Sequence, residues 1–418
     1  MSNKLTFTES ARYLERAHQA IAGQTQVFSK RASWFPQGAF PLYLSRGSGP
    51  WVWDVDGNKY TDFILGLGAV LLGYQHPSVT LSIQQQLGSG IVFSLPHPLE
   101  ITLSEKIKEV VPCAERVRFS KTGSEVCQAA IRVARAHTGR FHIAYRGYHG
   151  WHSWYSCTTE RDMGTLPEEK TYMHEFQYNN LESLEMILSQ YSCAAVIMEP
   201  VIFDPPDEDF LEGVQRLARH YGALLIFDEM VTGFRMALGG AQEFFGVVPD
   251  LATFGKGIAN GMPLSVLCGK AEVMRECEDI FFSTTSGGEC LSLAAGLATI
   301  ECLELGGMQN LWEAGSYLRS GLHEKGITTV GYGCRFGIPL ERETPALRSL
   351  FMQECAKRGV LTHSFALNMC EAHNNRSLLD TVISGITEAY DVTLAAQKKG
   401  TVERQLQGKV IQPAFRRL

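Results

Sequence analysis

Two short apolar runs that end on acidic residues constrain this chain more than any other feature. Cys193 to Met198 reads CAAVIM and leads into Glu199, and Ala223 to Phe227 reads ALLIF and leads into Asp228 and Glu229. Such runs are too short for buried helices, and an unbroken apolar stretch suits a strand covered on both faces. Between them, Asp209 to Tyr221 sets Phe210, Val214, Leu217 and Ala218 on one helical face, with Gly222 as a stop. Strand, helix and strand in this order predict a sheet wrapped by helices, an α/β fold. Ligands of such sheets sit outside the carboxyl ends of the strands, so Glu199, Asp228 and Glu229 are the first places to look for chemistry.

A chain of 418 residues, 45% hydrophobic, can bury one large core and a smaller one. We expect an N-terminal segment at 1–60, a large domain at 61–310 and a smaller C-terminal domain at 311–418. The net charge of -6 and the lack of a basic block argue against nucleic acid as a partner. The 11 cysteines are scattered with no C-x-x-C pair, which suggests neither a disulfide framework nor a metal site and fits a reducing cytoplasm. The opening MSNKLTFTESARYLERAHQAIAG mixes both charges and lacks the apolar centre of a signal peptide, so secretion is not expected. No uninterrupted apolar run approaches the ~18 residues of a bilayer span, so no membrane partner is expected.

Five constellations carry candidate chemistry. Ser120-Lys121-Thr122-Gly123-Ser124-Glu125 leads into a helical stripe of Val126, Ala129, Ala130 and Val133. Its small loop residues suit either a helix cap or a phosphate held on backbone N–H groups at a helix N-terminus. Asp228 follows an apolar run in DEMVTGFR, where a carboxylate needs a partner: Arg235, a cap, or a protonated ring nitrogen. Gly255 and Gly257 flank Lys256, so something approaches that backbone closely. The lysine is either a solvated loop residue or a nucleophile toward an aldehyde. Ser283 to Gly288 (STTSGG) is a second clasp or a plain helix entry ahead of Leu291 to Ile300. Tyr148-His149-Gly150-Trp151-His152 is an aromatic cluster, either core or a stacking surface for a flat ring.

Rival motifs are missing. There is no H-E-x-x-H, no G-x-S-x-G and no strand-associated G-x-G-x-x-G, and the Gly269-Lys270 pair is followed by Ala271 with Leu264 five positions before, so no Walker loop forms.

Taken together the elements resemble the class III, fold-type I, pyridoxal-5'-phosphate (PLP)-dependent aminotransferases, and the branch that contains glutamate-1-semialdehyde 2,1-aminomutase. The resemblance rests on WVWDVDGNKYTDF at 51–63, LGYQHP at 72–77, TGSE at 122–125, YHG at 148–150 and EPV at 199–201. It continues in FDEMVTGFR at 227–235, PDLATFGKGIANGMP at 249–263 and STTSGG at 283–288. It implies a large domain with a mostly parallel seven-stranded sheet flanked by helices, plus a smaller α+β domain.

Carried onto this sequence, the resemblance makes Lys256 the Schiff-base lysine and Asp228 the partner of the pyridine nitrogen. Gly123 and Ser124 become phosphate contacts, Tyr148 the ring that stacks on the cofactor, and Thr285 a phosphate ligand donated by the neighbouring subunit of a homodimer with shared sites. Arg31, Trp34, His149 and Glu199 are the candidate substrate contacts. The implied reaction moves an amino group from an amino-acid donor, glutamate among the candidates, to a small-molecule carbonyl acceptor by ping-pong kinetics. Ser29 stands where the aminomutase motif carries an arginine, and Leu67 and the region of Phe365 also depart from that enzyme. The segment QTQVFSKR and the tail LQGKVIQPAFRRL at 406–418 look more like aminotransferases of sugar or specialised metabolism. Intramolecular amino transfer by an aminomutase and a non-catalytic homologue are the alternatives; the second would be expected to lack Lys256 or Asp228, and both are present.

Overall fold

A computed structural model gives the fold and describes residues 5–412; the first four residues of the opening segment and the last six of the 406–418 tail lie outside the described residues. The chain divides into two compact units, one formed by Met1–Leu65, Leu72–His76 and Gln309–Leu418, the other by Gly66–Leu71 and Pro77–Met308.

The second unit is built on a seven-stranded sheet. In chain order its strands are β1 (Arg116–Ser120), β2 (His142–Arg146), β3 (Met173–Glu175), β4 (Cys193–Met198), β5 (Leu224–Asp228), β6 (Leu251–Phe254) and β7 (Ser265–Gly269). They lie side by side in the order β1-β7-β6-β5-β4-β2-β3. Strand β7 runs antiparallel to both neighbours, and every other pair is parallel. This is the mostly parallel seven-stranded sheet that the sequence implied.

The two apolar runs became β4 and β5 because the sheet is covered on both faces. Alternate side chains point opposite ways. Ala195 and Ile197 of β4 and Ile226 of β5 join a core with Val126, Cys127 and Ala130 of helix α1 (Gly123–Thr138). Val196 and Met198, with Leu225 and Phe227, face the other core, under Phe210 and Val214 of helix α2 (Phe210–His220). The predicted helix between the runs is α2, followed by Gly222 at φ +67. Helix α3 (Cys290–Cys302) takes up the apolar pattern predicted at Leu291 to Ile300. The longer run Cys290–Glu324 has the length and composition to cross a membrane, and 61% of its most apolar window is buried in the protein, as in a core helix.

The first unit carries a four-stranded sheet of Leu44–Ser48, Trp51–Asp54, Lys59–Asp62 and Val360–Leu361 and a three-stranded sheet of Val330–Tyr332, Arg335–Gly337 and Ala366–Asn368. Helices Pro345–Lys357 and Arg376–Lys399 complete this smaller α+β unit.

Candidate active site

Strands β6, β5, β4 and β2 are neighbours that run the same way, so their carboxyl ends open on one edge of the sheet. Each end delivers a residue singled out in the sequence. Gly147, Tyr148 and His149 follow β2, Glu199 follows β4, Asp228 closes β5, and Lys256 stands two residues past β6. Asp228 is in register with Thr253, so the turn that carries Lys256 begins beside the aspartate.

Lys256 has φ +45 and opens a short 3-10 turn, Lys256–Ala259. A side chain at positive φ is a strained choice that surrounding structure must enforce. The backbone on either side of it is closely packed and leaves room only for glycine. A Cβ on Gly255 would lie 2.7 Å from Met230 Sδ, and one on Gly257 would lie 2.5 Å from Leu71 Cδ1. The close approach read from the two glycines is therefore made by Met230 and Leu71. Asn260 holds the far end of the turn by accepting the Leu71 amide at 2.9 Å.

Asp228 is 2% exposed. Its Oδ2 accepts from His149 Nδ1 at 2.7 Å and from the Cys127 thiol at 3.4 Å, and its Oδ1 accepts the Met230 amide at 3.1 Å. Arg235, the salt-bridge partner weighed in the sequence, donates to the Gly68 carbonyl at 2.9 Å. The nitrogen, sulfur and oxygen of His149, Cys127 and Asp228 all fall within 4.8 Å of one another. Two ligands bound at 2.0–2.1 Å to one tetrahedral ion would stand roughly 3.3 Å apart, so the shorter 2.7 Å nitrogen–oxygen separation is that of a hydrogen bond.

His149, offered to the substrate in the sequence reading, is placed in the interior of the site. It is 1% exposed, its ring lies parallel to Trp154 with centroids 6.0 Å apart, and its Nδ1 is bonded to Asp228. The aromatic cluster splits in this way: His149 is core, while Tyr148 and Trp151 are exposed. Cys127 and Met230 were not singled out in the sequence. The available signal was a cysteine beside the apolar stripe of α1.

Glu199 Oε2 accepts the Tyr148 amide at 2.9 Å. Burial, then the nearby Asp228 carboxylate, raise its pKa above the usual carboxylate value, while His149 and Lys256 pull the other way. Lys256 also opposes the rise that burial and Asp228 impose on the Cys127 thiol. The lysine charge therefore acts on the same group of side chains as Asp228. The Tyr148 phenol is raised too, by burial first and then by Cys127, Asp228 and Glu199. Its half-exposed ring stands edge-on to Tyr155, with centroids 5.6 Å apart.

The Thr-Gly-Ser loop enters α1 as predicted. Glu125 caps it by accepting from the Thr122 amide at 2.8 Å and the Lys121 amide at 3.0 Å. Ser124 Oγ accepts the Trp151 amide at 3.2 Å, and Gly150, at φ +100, packs so closely that a Cβ there would lie 2.2 Å from that oxygen. A Cβ on Gly123 would lie 2.6 Å from Met230 Sδ, the atom that also crowds Gly255. The helix entry, the 147–151 loop and the lysine turn thus share neighbours, and the N-terminus of a 16-residue helix favours an anion.

Thr285 stands on an exposed turn ahead of α3, whose N-cap is Glu289, bonded to the Leu291 amide at 2.6 Å. Arg31 and Trp34 belong to the first unit, where the Arg31 guanidinium lies 4.0 Å from the Phe28 ring centre and Trp34 lies 5.4 Å from the His363 ring.

Residues 35–375 match the family described as Aminotransferase class-III. The chain is 38% identical, over 303 residues, to a glutamate-1-semialdehyde 2,1-aminomutase of Methanothrix thermoacetophila, covering 68% of this chain and 71% of that protein. It is 39% identical, over 314 residues, to a 3-aminobutyryl-CoA aminotransferase of Cloacimonas acidaminovorans, covering 73% and 75% respectively. Among solved structures it superposes on the PLP internal aldimine form of the FumI protein of Sphingopyxis sp. MTA144 with a TM-score of 0.87, at 24% identity, over 97% of this chain and 99% of that one. The last likeness speaks to the fold, and the two relatives and the long family match speak to descent. This chain belongs to the class III aminotransferase family.

Proposed function

We propose that the protein is a PLP-dependent aminotransferase that takes the amino group of an amino-acid donor, glutamate among the candidates, and passes it to a separate small carbonyl compound. The observation that carries this reading is the pairing of β5 with β6, which brings a buried aspartate and a strained lysine to one edge of the sheet. The residues fit the cofactor. Asp228 is a buried carboxylate with acceptor capacity beyond His149, Cys127 and the Met230 amide, suited to a cationic ring nitrogen. The cradle of Gly123, Ser124 and Gly150 at the start of α1 suits its phosphate, and the exposed Tyr148 ring suits its flat face.

When bound, PLP supplies an aldehyde that takes up amino groups and a ring that withdraws electrons. The chain does the rest. Lys256 Nζ would hold the cofactor as a nucleophile and, when free of it, would take and return the proton at the substrate carbon as a base. Asp228 would hold the ring nitrogen and favour its protonated form. Glu199 holds the Tyr148 backbone in place by accepting its amide.

A homodimer completes the site in this reading, with Thr285 reaching the phosphate of the neighbouring subunit. An exposed apolar stretch, Ile91, Val92, Phe93 and Leu95, supports it. The Ile91 carbonyl accepts the Cys290 amide at 2.9 Å, so this stretch begins beside the start of α3, five residues after Thr285. A cytoplasmic setting is supported by eleven cysteines that are all free thiols.

The relatives include an aminomutase as well as an aminotransferase, and Ser29 in place of the aminomutase arginine favours transfer between two molecules. An isotope experiment separates them. Holoenzyme given nitrogen-15 glutamate and a panel of aldehydes and ketones is expected to place the label in a new amine. Rearrangement within one carbon skeleton, with no transfer between molecules, would overturn the reading.

A further inference from the structure

Asp228 is supported from behind by more than its backbone. Two side chains donate to one oxygen, Oδ2, and both are buried: His149 Nδ1 at 2.7 Å and Cys127 Sγ at 3.4 Å. The second imidazole nitrogen, Nε2, is also buried and has no hydrogen-bond partner among the described residues. A proton on Nε2 would be buried and unpaired, whereas a proton on Nδ1 meets a carboxylate. The tautomer that satisfies the site carries its hydrogen on Nδ1, and the bond to Asp228 is a true N–H donation. Cys127 stays a thiol, because burial and Asp228 raise its pKa well above the usual thiol value, so toward the carboxylate it too can only donate. Its neighbour Thr253 lies 3.6 Å from the sulfur.

Donors to a carboxylate favour its charged form, whereas burial and a like charge nearby favour the neutral one. Glu199 supplies the like charge, Lys256 opposes it, and Tyr148 completes the titratable groups whose charges act on this cluster. Building on the reading of Asp228 as the partner of the cofactor ring, we propose that His149 and Cys127 are positioning residues that keep Asp228 ionised, so that the proton between them stays on the ring nitrogen. Without these donors the buried aspartate takes the proton back, and the ring loses its electron-withdrawing charge. The proton moves along one hydrogen bond, and no other bond is made or broken.

The test is the nitrogen-15 signal of holoenzyme reconstituted with PLP labelled at the ring nitrogen. The native protein is expected to give a pyridinium signal. His149→Phe removes the donor but keeps a flat ring against Trp154, so it should move the signal toward unprotonated pyridine. It should also lower kcat on the order of tenfold, the size expected for losing one hydrogen bond to a charged group, with KM changed less than about twofold. His149→Asn, whose side-chain amide can donate to the same oxygen, should restore both readouts to within about threefold. Cys127→Ala should move them the same way by a smaller factor, and it decides the matter if His149→Phe does not fold. A native-like signal in His149→Phe or, failing that variant, in Cys127→Ala overturns the inference, as does equal impairment of the Phe and Asn variants. A native protein that holds no PLP overturns the underlying reading as well, whereas PLP held with an unmoved signal overturns this inference alone.

Discussion

Asp228 and Thr253 sit opposite each other in register on parallel strands, and three residues after Thr253 the chain is forced into positive φ at Lys256. A buried acid on one strand end and a strained base just past the next give the sheet edge its polarity. Strain of this kind is retained where neighbours over-determine it, here through Met230 and Leu71 against the two glycines.

Lys256→Ala should remove the visible absorbance of the bound cofactor and essentially all amino transfer. The fold should survive, because alanine carries a Cβ at the same positive φ and inherits the same backbone cost. A melting temperature within roughly 2 °C of the native apoprotein, equivalent to less than about 1 kcal/mol, is expected by calorimetry. Retained turnover would sink the role given to the lysine.

Gly150→Ala tests the anion cradle. The substitution puts a Cβ at φ +100 and against Ser124, whose Oγ and Cα would lie 2.2 and 2.8 Å away. Strain of ~1–3 kcal/mol per such residue, relieved only by moving the Ser124 loop, should weaken PLP binding about tenfold or more. Equilibrium dialysis against free PLP measures it, and an unchanged dissociation constant would place the phosphate elsewhere.

Glu199 gives a pH signature. Burial and Asp228 raise its native pKa above the usual 4.5. A group raised in this way stabilises the fold fully below its unfolded value, and the contribution is lost as pH rises through the native value. Glu199→Gln removes that loss while keeping an acceptor for the Tyr148 amide. The variant apoprotein should therefore gain stability over the native one as pH climbs from about 4 and level off above the raised native value. A gap that shrinks over that range would contradict the assigned sign.

The proposed sharing of the site between two subunits predicts a linked loss of assembly and cofactor. Leu95, 78% exposed, is the most exposed residue of the apolar stretch that begins beside the start of α3. Leu95→Asp should shift sedimentation from dimer toward monomer and weaken PLP retention in parallel, and Thr285→Ala should weaken retention without the shift. A native protein that sediments as a monomer would remove the basis for both.

Much of this could be read from the chain alone because it is local. CAAVIM and ALLIF show no alternation since both faces of β4 and β5 are covered, and the stripe from Val126 to Val133 needs only its own helix to be recognised. The lysine between glycines announced a tight place. What occupied that place was not legible, because Leu71 and Met230 come from distant segments. The same holds for His149: its partner lies 79 positions away, and no local pattern separates a histidine aimed at a substrate from one aimed into the core. Asp228 extends β5 by one residue past the apolar run, and the alternation puts it on the same face as Ile226, the face covered by Cys127 of α1.

The most direct test of the account is the absorbance spectrum of the purified holoenzyme before and after glutamate, with no acceptor present. The account predicts a visible band that fades into the near ultraviolet as the amino group is taken up, and that returns when the corresponding 2-oxo acid is added. A protein that shows no such band after reconstitution with PLP, or a band that no amino donor moves, would contradict it.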